Sequence, residues 1–335
     1  MPSRSAELPF AKIIQALLDE RKPFPARYIY RLSDLDGEDR LALERAWLQV
    51  PLRRRQALLE DIRDMGEDDF LLDFTSLGTL VLKDPDALVR ALMVETLAEY
   101  QSRELLSDFL HLAENDQDAT VRAAAARALG AFVYMGEVDE LPAKAFHKVE
   151  ECLLRIMRGN DVAQVRRRAL EALGYSSRDE VPALIEAAYY SGDQDWLASA
   201  LFAMGRSSNP AWADKVIESL DDHNPAVRAE AASAAGELGL RASVDSLLGL
   251  LNDDDEAVRA AAIWSLSEIG GQGVRQALEE LLENTDDDDE AEWIEDALEN
   301  LAFVEESDVF TLIELEEEAL DEADLLDEDD LEDTD

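Results

Sequence analysis

Residues 221–232 read DDHNPAVRAEAA, which sets Asp222, His223 and Arg228 within seven residues of one another. A carboxylate, an imidazole and a guanidinium are the types from which an acid–base site is assembled. Recurrence argues against that reading here. Val227-Arg228 returns 31 residues later as Val258-Arg259, while 31 residues earlier the register holds Trp196-Leu197 and a further 31 earlier Val165-Arg166. Upstream stand Val121-Arg122 and Val89-Arg90, so that the steps from Arg90 are 32, 44 and then 31 three times. A residue that returns in nearly every unit cannot mark one active centre, and Arg90, Arg122, Arg166, Arg228 and Arg259 read as a structural ladder. The step of 44 contains an insertion around VYMGEVDELPAKAF.

The elements that carry these residues follow from the same register. Six positions before each step stand Asp84, Asp116, Asn160, Ser191, Asp222 and Asp253, side chains that accept backbone N–H bonds at a turn or helix start. Offsets −1, +3, +4 and +7 from the arginine are apolar or alanine, as in Val227, Ala231, Ala232 and Ala235, which is one face of an α-helix. Gly130, Gly174, Gly239 and Gly270 then read as left-handed helix stops. A second apolar stretch completes each unit, as in ASVDSLLGLLN or VPALIEAAYY. The expected fold is all-α: a solenoid, or superhelix, of stacked antiparallel helix pairs in which each repeat buries its apolar faces only against neighbours. An arginine fork at the start of the inner helix can bridge a carboxylate and backbone carbonyls of its own or the adjacent repeat.

The pattern DxDxxVRxxAAxALGxxG followed by a VPxLxxLLxD helix resembles the HEAT-like repeats of the phycobilisome-lyase type, over roughly residues 69–303. The resemblance implies that the second helix of each pair lines a concave face. It also implies a function class no narrower than scaffold, adaptor or enzyme. The three histidines His111, His147 and His223 are not followed by Glu, so the His-Glu pairs that resemble the iron site of HEAT-repeat deoxyhypusine hydroxylases are missing. With few His and a lone Cys152, no metal or cofactor is expected, and Cys152 reads as a core residue in KVEECLLRIM.

Composition bounds the partners. The 335 residues carry a formal net charge of −46, which repels nucleic acids and anionic membrane surfaces. No stretch reaches the length of a membrane span, and the single cysteine permits no internal disulfide; a cytoplasmic protein is expected. Charge divides the chain into an N-terminal helical cap at 1–63, with a degenerate first helix pair, a repeat array at 64–303, and an acidic, disordered tail at 304–335. Residues 1–63 hold twelve Lys or Arg against ten acids, whereas residues 276–335 hold 29 Asp or Glu and no basic residue. The tail's Phe310, Leu312, Ile313, Leu315 and Leu320 give it an apolar stripe, and Arg53, Arg54 and Arg55 form a basic cluster on which it could dock.

Recognition residues are sought at offsets +5 and +9, on a row taken to face away from the core. Arg127, Tyr175, Phe202, Arg206 and Trp264 stand there among Glu95, Glu171, Ser233, Glu237 and Glu268. Trp196 and Trp212 instead read as fillers of core volume beside the missing arginine. The reading that follows is a non-catalytic scaffold or adaptor binding a protein partner. Two alternatives are an accessory subunit of a phycobilin lyase acting on phycobiliproteins, and an acidic nucleic-acid mimic or chaperone-like protein that binds a basic partner.

Overall fold

The computed structural model describes residues 8–33, 35–68, 72–100 and 102–304, and the acidic segment 305–335 lies outside them. Every regular element among the described residues is helical. The chain divides into two compact units, Met1–Ile185 and Glu186–Asp335.

Unit 1 holds α1 (Phe10–Leu18), α2 (Gly37–Trp47), α3 (Leu52–Asp68), α4 (Thr75–Val81), α5 (Ala87–Ala98), α6 (Leu106–Asn115), α7 (Ala119–Glu137), α8 (Ala143–Arg158) and α9 (Ala163–Leu173). Its inner helices α3, α5, α7 and α9 pack serially, each on the next, while α4, α6 and α8 lie against α5, α7 and α9. α3 runs unbroken across the boundary expected after residue 63. The helix α10 (Val181–Tyr189) spans the division between the units. Unit 2 repeats the plan with α11 (Gln194–Arg206), α12 (Ala213–Ser219), α13 (Pro225–Glu237), α14 (Val244–Leu250), α15 (Glu256–Ile269), α16 (Val274–Asn284) and α17 (288–304). There α11, α13 and α15 form the serial inner row.

The inner helices α5, α7, α11, α13 and α15 begin at a two-step turn, whereas α9 follows Val162, which offers no side-chain cap. The first acid of the turn accepts the amide two residues on: Asp86 N donates to Asp84 Oδ1 at 2.8 Å, and Asp118 N to Asp116 Oδ1 at 2.9 Å. Asn224 N and Asp255 N do the same to Asp222 and Asp253, at 2.8 and 3.0 Å. The next polar residue then caps the helix, as Asp86, Asp118, Asp193, Asn224 and Asp255 accept N–H bonds from the first turn. In these five turns the register picks out the first residue, while the N-cap is the residue two positions on.

The residues at −1, +3, +4 and +7 are buried, from Val89, Met93, Val94 and Leu97 to Val258, Ala262, Ile263 and Leu266. Two of the four expected glycine stops need correction. Gly130 lies inside the 19-residue α7, and a Cβ there would come within 3.3 Å of Ala172 Cα on α9. Gly174 has right-handed φ of −51°. Gly130 therefore serves close approach between α7 and α9, and Gly174 caps α9 without the left-handed reversal. Gly239 and Gly270 do reverse the chain, at φ of 60° and 64°. The insertion is absorbed by the continuation of α7 to Glu137, a reversal at Asp139 (φ 60°) and the 16-residue α8.

Candidate functional site

Four of the five arginines at the starts of the inner helices share one arrangement. Arg90 donates through Nε and Nη2 to Asp116 Oδ2 and Oδ1 at 2.8 and 2.7 Å, and through Nη1 to the Asp84 carbonyl at 2.7 Å. Arg122 donates in the same way to Asp161, 2.7 Å to each oxygen, and to the Asp116 carbonyl at 2.8 Å. In unit 2, Arg228 forks onto Asp253 at 2.8 and 2.7 Å and donates to the Asp222 carbonyl at 2.8 Å. Arg259 reaches Glu290 Oε1 at 2.7 Å and the Asp253 carbonyl at 3.1 Å. Each guanidinium thus ties the backbone of its own turn to the carboxylate of the following repeat, and the planar fork is what permits both at once. Arg166 differs, donating Nε to the Met157 carbonyl at 2.9 Å. The residue in register to answer it is Ser191, which has no carboxylate.

Three sequence-level assignments change here. Asn160 stands in the register, but its neighbour Asp161 supplies the charge that Arg122 needs. Arg55, read as part of a basic cluster, is buried and donates Nη1 to Asp84 Oδ2, which also accepts Trp47 Nε1 at 2.7 Å. Arg54 donates Nη2 to the carbonyls of Asp19 and Lys22. Only Arg53 of the three remains exposed, so the triple-arginine docking point for the tail does not exist as a surface. The available signal for Arg55 was Asp84 itself, a turn acid with no arginine assigned upstream of it.

The outward row is also revised at one position. Glu171 is buried and accepts Arg168 Nη1 at 2.6 Å, so it does not face away from the core. Arg127 is exposed on α7, and Tyr175 sits half-buried against Tyr134 in an edge-on pair with ring centroids 5.4 Å apart. In unit 2 the structure brings Phe202 and Arg206 together, with the guanidinium carbon 4.2 Å from the ring centroid. Trp264 projects from the middle of α15 with 52% of its surface exposed, while Trp212 is buried and Trp196 half-buried. Among the described residues no group of three His, Cys, Asp or Glu is placed to hold a metal ion.

A family profile of HEAT repeats matches residues 75–174, 181–255 and 213–299, together more than half of the chain. The chain belongs to the HEAT-repeat family. No curated protein matches it at a significant level. Among solved structures, the CpcE–CpcF complex of phycocyanin lyase from Nostoc sp. PCC7120 is similar at 16% identity and a TM-score of 0.45, covering 90% of this chain and 97% of that one. Human deoxyhypusine hydroxylase is similar at 18% identity and a TM-score of 0.37, covering 88% and 96%. Importin beta is similar at 14% identity and a TM-score of 0.43, covering 87% of this chain and 46% of that one. These likenesses concern the helical solenoid fold alone. No helix among the described residues is long and apolar enough to cross a membrane.

In this HEAT array the rung carboxylates titrate abnormally. The Arg122 and Arg228 forks hold Asp161 and Asp253 below the ordinary aspartate value of 3.8. Burial pushes Asp116 upward, but the Arg90 fork and the Asp118 amide outweigh it and leave it lowered. Arg259, and then the Thr285 hydroxyl, lower Glu290 from 4.5. A depressed carboxylate adds stability that is fully present above its unfolded value and disappears as pH falls through its folded one. The urea midpoint should therefore be nearly constant from about pH 7 to 5 and fall steeply below the ordinary carboxylate range. In Arg228→Ala, which loses the cause of the Asp253 shift, the fall should be shallower. Parallel curves for the two proteins would count against this account.

Cys152 is buried in α8, and burial, followed by the Glu114 carboxylate, pushes its thiol up to about 12. The thiolate that nucleophilic chemistry requires is therefore scarce at neutral pH. Ellman's reagent at pH 8 should label native protein at least ~100-fold more slowly than the urea-unfolded chain. Comparable rates would show the thiol to be accessible.

Proposed function

We propose that this HEAT-repeat chain is a non-catalytic protein-binding scaffold whose partner lies along the outward row of α11, α13 and α15. The observation that carries the reading is Trp264. Its neighbours Ala262, Ile263, Ser265 and Leu266 are buried, yet the indole is 52% exposed on a well-formed helix. A large aromatic held rigidly at a surface is the side chain that most often anchors an interface. The Phe202–Arg206 stack on α11 offers a second anchor of the same kind, two inner helices away. Arg127 and Tyr175 form a separate candidate surface in unit 1. The partner would be a protein with basic character, since the −46 charge attracts one and repels polyanions.

The full chain, used as bait in extract from its own cells, should enrich a protein whose recovery falls at least ~10-fold with Trp264→Ala, the loss expected on removing an anchor residue. Phe202→Ala should weaken the same prey, and Arg127→Ala should leave it unchanged. All variants should keep the wild-type thermal midpoint. Equal recovery with Trp264→Ala would sink the assignment of this row. Loss on deleting residues 305–335 instead would transfer the binding to the acidic segment.

A further inference from the structure

The repeat provides four rung arginines, three of them forked onto an aspartate and Arg259 bonded through Nε alone, and one position from which the arginine is missing. At Arg90, Arg122, Arg228 and Arg259 a guanidinium links the carbonyl six residues earlier to a carboxylate of the following repeat. In unit 2 the corresponding position is Leu197, and the acid in register to receive its cation is Asp222. That acid is present and oriented like its siblings, with Oδ1 accepting the Asn224 amide at 2.8 Å. Its side-chain partner is His223, with Nδ1 3.1 Å from Oδ1 on an exposed ring, in place of an arginine.

The vacated position opens on a cleft of about 490 Å³, lined by Tyr189, Leu197, Glu218, Asp221, Asp222 and His223. The equivalent groove at Arg90 is walled by that guanidinium itself, together with Asp84 and Asp116. At residue 197 the wall is an aliphatic side chain, and three carboxylates face the cleft. Among the described residues none of Glu218, Asp221 and Asp222 forms an ion pair with a Lys or Arg. One turn earlier on α11, Gln194 Oε1 is buried without a donor.

We infer that this cleft is a socket for an arginine side chain of the bound protein, which completes from outside the rung that Leu197 leaves open. Asp222 takes the fork, as Asp253 takes that of Arg228. Leu197 and Tyr189 give the methylene stem and the guanidinium plane an apolar wall, and Glu218 and Asp221 supply the surrounding negative field. A lysine fits less well because a single ammonium cannot make the two parallel bonds shown by the Arg90, Arg122 and Arg228 rungs. The inference deepens the scaffold reading and depends on it for the source of the arginine.

The test uses the isotope-labelled full chain and the blocked pentapeptide Gly-Gly-Arg-Gly-Gly, followed by amide shifts at low salt. The arginine peptide should produce saturable shifts at residues 189–197 and 218–223. Its citrulline analogue, the same shape without charge, should produce none, and the lysine analogue should bind at least ~10-fold more weakly. Leu197→Arg fills the socket from within and should abolish the shifts while raising the thermal midpoint. Asp222→Asn should weaken binding at least ~10-fold with the fold retained, and it decides the matter should Leu197→Arg not fold. Equal shifts with citrulline, no shifts at all, or wild-type affinity in Asp222→Asn would overturn the socket. Because the prey assay with Trp264→Ala is separate, arginine shifts without any prey would sink the scaffold reading alone. Prey capture without arginine shifts would sink the socket alone.

Discussion

Replacing Asp84 with alanine should lower the stability of unit 1 by about 3–5 kcal/mol, the cost of stranding a buried charge. Asp84 is 2% exposed, and its carboxylate accepts Arg55 Nη1, Trp47 Nε1 and the Asp86 amide. Its carbonyl accepts Arg90 as well. Alanine leaves the buried guanidinium and the indole N–H without acceptors, and the water that could replace them has little access. The pair as a whole need not be stabilising, because desolvation of both ions offsets their attraction. The double substitution Asp84→Ala, Arg55→Met should therefore recover much of the loss. Urea unfolding followed by far-ultraviolet circular dichroism measures both. Trp47, the one tryptophan of the five that lies in unit 1, reports the local change by fluorescence. A loss under about 1 kcal/mol would place Asp84 among ordinary surface pairs and defeat the argument.

Gly236→Val should be the most damaging single change in unit 2, at about 3 kcal/mol or more, the upper range for overpacking. A Cβ at Gly236 would lie 2.6 Å from Ser265 Oγ and 3.0 Å from Ser265 Cα on the neighbouring inner helix. The serine cannot simply swing aside, because its Oγ donates to the Ala232 carbonyl at 2.8 Å across the same interface. Valine adds two methyl groups to that contact, so α15 must shift away from α13 and the Arg228–Asp253 rung must stretch with it. Ser265→Gly in the same chain removes the obstructing atoms and should restore part of the loss, though glycine inside α15 costs about 1 kcal/mol of its own. An undiminished defect in the double variant would mean the clash lies elsewhere.

Much of this fold was legible in the sequence because each repeat solves a local problem in a periodic way. Apolar positions at −1, +3, +4 and +7 from each arginine give a helix with one buried face, and they are buried wherever the arginine is present. The resemblance of the pattern to HEAT-like repeats is matched by the family profile. Leu197 was legible too, as a break in the register, although its neighbouring cleft was not.

What sequence alone determined was the residue types available to most repeats: a turn acid, an arginine six positions on and a small residue eight positions beyond that, with Asn160, and Ser191 with Leu197, as the exceptions. The tertiary structure decided which of these meet. Asp161 rather than Asn160 answers Arg122, and Glu290 answers Arg259. Arg55 is drawn from an apparently solvated cluster into the core, and Glu171 leaves the outward row. Gly130 and Gly236 serve helix contact and not helix ending. Apart from the local Arg168–Glu171 pair, these outcomes join residues about 30 to 40 positions apart. Local propensity acts over a few residues, so such pairings are fixed only when the inner helices pack and the buried charges must find their partners.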